Sequence, residues 1–90
     1  MKIILVAINS KFIHSNLAVR YLKRFTEDLQ YTCKIEEFSI NDRVERIVEE
    51  IILDKPDVVA FSCYIWNISY IKRVASLIRL INPQIKIILI

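Results

Sequence analysis

Three continuous apolar runs, "KIILVAI" at 2–8, "VVAFS" at 58–62 and "IKIILI" at 85–90, punctuate this chain, and the segments between them carry apolar residues at helical spacing. That alternation limits the fold more than any other feature. Runs of this length, rich in β-branched residues, read as strands buried on both faces. In "NLAVRYLKRFTEDL", Ala18, Tyr21, Leu22, Phe25 and Leu29 trace one helical stripe, with Ser15 or Asn16 available as its cap. "YTCKIEEFSI" alternates and reads as a strand with one solvated side. Asp42 and Glu45 have capping-box spacing before a second helix whose stripe is Val44, Ile47, Val48, Ile51 and Ile52. "KPD" closes that helix. A third helix is expected over about residues 68–81, with Ile71, Val74, Ala75, Ile78 and Ile81 inward, stopping before Pro83.

The order βαβαβαβ predicts an α/β fold: a flavodoxin-like (Rossmann-like) three-layer αβα sandwich, with a parallel sheet and right-handed crossovers. The first strand is expected to be central, and two-sided coverage is expected over strands one, three and four. Residues 1–90 read as the N-terminal part of a domain, truncated after the fourth strand. The apolar edge this leaves invites pairing with a second copy, hence a dimer through the fourth strand.

The totals narrow the function classes. At 54% hydrophobic and 26% charged, the chain has the makings of a packed unit. Its formal charge of +3 comes from thirteen basic residues scattered from Lys2 to Lys86 among ten acidic ones. Such scatter marks solvated faces, and no nucleic-acid groove is expected. Cys33 and Cys63 stand far apart without a CxxC pair, so they form no four-ligand metal site by themselves, and a reduced, cytoplasmic setting is expected. The opening apolar run is shorter than a secretory core, and no stretch approaches the ~20 residues that span a membrane. There is no glycine at all, which excludes both GxGxxG and the P-loop within these residues.

Ligands of open parallel sheets bind at the carboxyl ends of the strands, where strand order reverses. The loop after the first strand offers Asn9, Ser10, Lys11, His14, Ser15 and Asn16; the loop after the third offers Ser62, Cys63, Tyr64, Trp66 and Asn67. This polar, aromatic-bearing rim suits a large ligand that is partly flat and partly amide-bearing. Each residue also has a plainer use: the asparagines and Ser15 as caps, the aromatics as loop anchors, Cys63 as an inert thiol. His14 is the sole histidine and has no partner carboxylate nearby in sequence, so no catalytic residue and no metal ligand is assigned.

The stretches "MKIILVAINSKFIHSNLAVRYLKRF", "SINDRVERI" and "KPDVVAFSCYIWNI" together resemble the N-terminal cobalamin-binding domain of cobalamin-dependent radical-SAM enzymes, over essentially the whole chain. In that family the domain precedes a radical-SAM domain whose CxxxCxxC motif holds a [4Fe-4S] cluster and S-adenosylmethionine; no such motif occurs here. The resemblance implies cobalamin as ligand and the radical-SAM domain of the same parent chain as partner. Cobalamin domains of methionine synthase and the mutases carry DxHxxG after the first strand, the histidine binding cobalt from below. Aligned on the following helix start, Asn9 takes the Asp position, Lys11 the His position and His14 the Gly position. The SxL motif after strand three survives as Ser62, with Tyr64 replacing the leucine; in the family that serine faces the nucleotide tail. A glycine pair after strand four is expected beyond Ile90. The resemblance thus implies base-off cobalamin without a histidine lower ligand, because a protonated lysine has no free lone pair for cobalt. Two competing readings remain at this level. One is a flavodoxin-like protein-interaction or regulatory domain without cofactor. The other is a flavin module, disfavoured by the absence of glycine in the first loop.

Overall fold

The computed structural model describes residues 1–9 and 32–90. In that part are four strands, β1 (Lys2–Asn9), β2 (Thr32–Ser39), β3 (Val58–Ser62) and β4 (Lys86–Leu89). Two helices, α1 (Val44–Leu53) and α2 (Ile68–Ile81), complete it. The helix expected after the first strand lies outside the described residues.

All four strands are parallel in one sheet of order β2-β1-β3-β4, so β1 is internal, as a flavodoxin-like, Rossmann-like α/β fold requires. The register sets Leu5 against Ile35 on one side and Ala60 on the other. Because side chains alternate along a strand, Ile4, Val6 and Ile8 then share one face with Phe38, Val59 and Phe61. Both helices bury their stripes on that face, and the result is the main core. Their placement follows from chain direction: β2→β3 and β3→β4 both advance the same way across the sheet, and right-handed crossovers leave both helices on one side. The opposite face carries a smaller buried group, Leu5, Ala7 and Ala60, with Ile3, Cys33 and Ile35 packed against it.

Helix α1 begins one residue later than its sequence signals. Asp42 does not cap it; the N-cap is Arg43, without a side-chain cap bond. Asp42 instead accepts a hydrogen bond from the Ser39 amide at 2.8 Å and one from Arg46 at 2.9 Å. The tight turn after β2 needs the carboxylate to hold its own backbone, which removes it from the helix amides. The other end lacks glycine where a left-handed residue is required, and Lys55 takes that conformation, with φ 51°.

Helix α2 has the expected bounds, and Ile71, Val74, Ala75 and Ile78 are buried. Ile81 is not: it is 59% exposed. The fifth stripe position lies instead along an open groove between the helices, with Val48, Ile52, Leu53 and Leu77. Two-sided coverage also fails at β4, where Ile88 and Leu89 are exposed and Ile87 is only partly buried. Ile87 packs against the main core, but as the edge strand β4 pairs, among the described residues, with β3 alone. No described helix is long and apolar enough to cross a membrane.

Candidate functional site

The sheet order reverses between β1 and β3, and their carboxyl ends lie side by side. The last register pair is Ala7 with Ser62. Ser62 and Asn9 follow the same alternation as Ala7, so two small or polar side chains end these strands on one face. Both are buried, as few polar groups are. Their neighbours on that face, Ala7 and Ala60, are small and buried.

Beyond Ser62 the chain turns through residues 63–67 into α2, and Asn67 organises that turn. Its side chain is fully buried. Nδ2 donates to the Ile8 carbonyl at 3.0 Å and to the Ser62 carbonyl at 3.3 Å, while Oδ1 accepts from the Tyr64 amide at 2.7 Å. The β1–β3 ladder has ended here, so these carbonyls would otherwise be buried without donors. Asn67 occupies the N-cap position of α2 but makes no side-chain cap bond. It acts as a staple between the two strand ends, where sequence spacing had suggested a cap.

With the loop so held, Tyr64 and Trp66 stack face to face, ring centroids 5.4 Å apart and planes within 3°. Both rings are about half exposed, and Ile65 between them is 97% exposed. Together with Cys63 and Ile68 they line an open groove of about 550 Å³. Cys63 is half-buried, its thiol pushed up by burial and so a poor nucleophile. Its Sγ lies 3.7 Å from the Phe61 carbonyl. A further tie braces α2: the Tyr70 hydroxyl donates to the Asp42 carbonyl in the turn before α1.

Of the residues singled out from sequence, Asn9, Ser62 and Asn67 thus converge at the strand ends, and Cys63, Tyr64 and Trp66 form the rim of the groove. Ser10, Lys11, His14, Ser15 and Asn16 lie outside the described residues. Ile65 and Ile68 were not anticipated; an isoleucine inside "YIWN" gives no sign in sequence of facing solvent. No group of three or more metal-ligating side chains occurs among the described residues. The arrangement offers an apolar, aromatic groove with buried polar groups behind it, and no set of groups for nucleophilic or acid–base catalysis.

Residues 3–89 match the family model of the B12 binding domain. The comparison with curated proteins gave no match.

Proposed function

The chain belongs to the B12-binding domain family, whose ligand is cobalamin, and from that premise we propose that it holds cobalamin base-off, without a histidine beneath cobalt. The observation that carries this reading is the placement of buried Asn9 and Ser62 at the carboxyl ends of β1 and β3, beside the open groove under Tyr64 and Trp66. The residues present fit such a ligand. The open groove beside the strand ends gives room for a bulky group, and its aromatic rim offers flat apolar surface to it. Bound cobalamin would supply a cobalt centre for methyl or electron transfer. The chain's own part is to bind and orient: Ser62 and Asn9 toward the tail, Tyr64 and Trp66 along the flank, Asn67 holding the loop that carries them. Asn9 and Lys11 replace the acidic and histidine positions of the ligating motif, which supports base-off binding, with Ser10, His14, Ser15 and Asn16 completing the first loop.

The parent protein, in this proposal, is a cytoplasmic radical-SAM enzyme with a [4Fe-4S] cluster and S-adenosylmethionine in a following domain, residues 1–90 being part of its cobalamin domain. The combination of "SKFIHSNLAVRYL" with "SCYIWN" supports this, as do two free cysteines. Ile65, almost wholly exposed on the rim, suits contact with a domain lying over the cofactor. A dimer through β4 rests on the exposed apolar residues Ile88, Leu89 and Ile90.

Cob(II)alamin titrated with the full chain tests the central claim by electron paramagnetic resonance. A shift to the base-off spectrum without nitrogen splitting is the expected result. A spectrum identical to free cobalamin overturns binding. Nitrogen splitting that vanishes in His14→Ala overturns the absence of a histidine ligand.

A further inference from the structure

At the end of the sheet opposite the groove, β2 and the close of α1 bring charged side chains together. Lys34 and Glu36, two residues apart, project from the face of β2 that carries Phe38 and belongs to the main core. Asp54 follows the last residue of α1. Lys34 Nζ lies 3.1 Å from Glu36 Oε1 and 3.1 Å from Asp54 Oδ2. Lys34 Nζ thus bridges the two carboxyl groups, 3.1 Å from one oxygen of each. Glu36 is the more buried of the pair, its side chain 12% exposed against 23% for Asp54. Its Oε2 atom is buried and finds no hydrogen-bond donor.

A carboxylate oxygen buried without a donor is costly, and a second carboxylate beside it makes it more so. A proton on that oxygen removes both penalties. It converts an orphaned acceptor into a donor and leaves one negative charge for Lys34.

We propose that Glu36 and Asp54 share one proton at neutral pH, and that this acid–carboxylate pair, capped by Lys34, is a pH-sensitive clamp joining the end of α1 to β2. The proton resides on Glu36. Burial, and then the hydrogen bond to Asp54, push its carboxyl up to about 7, with Lys34 opposing. Asp54 moves down, chiefly because Glu36 donates to it, and Lys34 and Lys2 also favour its charged form. The groups facing the pair are Lys34 from β2 and Lys2 from β1, whose Nζ donates to the Asp54 carbonyl at 2.6 Å. In the turn before β3, the Asp57 carboxylate is occupied by the Lys2 amide at 2.7 Å.

The sign follows from the direction of each shift. Glu36 binds its proton more tightly folded than unfolded, so its contribution is complete below its unfolded value and is lost as pH rises through about 7. Asp54 contributes in the opposite sense, and only in acid below its ordinary range. Between pH 5.5 and 8.5, therefore, Glu36 makes the fold less stable as pH rises: its proton leaves to solvent and two carboxylates face one lysine.

Urea unfolding of the full chain at pH 5.5 and 8.5, with a ¹³C titration of the Glu36 carboxyl, decides the matter. In the unmodified chain the Glu36 signal titrates near 7, and the urea midpoint is lower at pH 8.5. Glu36→Gln, a neutral isostere of the protonated form, loses most of that pH dependence. Asp54→Asn lowers the Glu36 titration by about one pH unit or more, since the neighbouring charge is gone. A Glu36 signal titrating in the ordinary carboxylate range overturns the proposal, and so does one that stays near 7 in Asp54→Asn, which would assign the shift to burial alone. Should Glu36→Gln fail to fold, the two carboxyl titrations still decide.

Discussion

At the carboxyl end of the sheet a neutral amide, Asn67, ties three backbone groups of β1, β3 and the following loop. At the amino end Lys2, Lys34, Glu36 and Asp54 hold α1 to the strands with charge. Both solutions satisfy polar groups that packing has taken out of water, but they differ in what they respond to. An amide bonded on both sides does not titrate, so the shape of the groove under Tyr64 and Trp66 is insulated from pH. A carboxyl pair does titrate, which places a pH-sensitive contact at the end of the fold away from the groove.

The largest effect that would break this contrast is at Asn67. Asn67→Ala leaves the Ile8 and Ser62 carbonyls and the Tyr64 amide without their partner, and is expected to cost about 3 kcal/mol in urea unfolding. The near-ultraviolet circular dichroism of the stacked Tyr64–Trp66 pair should fade with it. A loss below about 1 kcal/mol would mean that water replaces the staple, and that the two ends are less different than their geometry implies. The pH slope assigned to Glu36 should persist in Asn67→Ala, because sites this far apart act additively.

Next in size is Trp66→Ala. Its ring is about half exposed, so stability should change by no more than about 1 kcal/mol, the range of one aromatic pair. Affinity for cob(II)alamin should nevertheless fall about tenfold, a change of about 1.4 kcal/mol. Equal losses in stability and affinity would show that the aromatic rim supports the fold and not the ligand. The smallest effect is expected at Lys55→Gly. The left-handed conformation costs a lysine about 1–2 kcal/mol, partly offset by the greater chain entropy of glycine. A gain of about 0.5–1 kcal/mol in urea unfolding, with the Glu36 titration unchanged, would separate turn strain from the adjacent clamp.

Strand and helix identity was legible from residues 2–8, 58–62 and 68–81 because burial imposes a period on the chain, and period survives in a one-dimensional record. The central position of β1 followed from its wholly apolar sequence at the start of a βαβ alternation, and the site's place at the ends of β1 and β3 followed from that order. Residue types at the rim, including Ser62 and Trp66, could be named for the same reason. What those side chains bond to could not. Asn67 reads as a cap by spacing, yet two carbonyls left over by the sheet claim its donors. Asp42 has capping-box spacing, yet the turn after β2 takes its carboxylate. Ile81 and Ile88 match buried periodicity, but one lies along the open groove between the helices and the other is exposed on the edge strand. Lys34, Glu36 and Asp54 look like ordinary surface charge until β2 and α1 meet and leave one oxygen dry. Periodicity depends on neighbours along the chain and is written in the sequence; hydrogen-bond partners and solvent access depend on neighbours across space, and only the packed tertiary structure decides them.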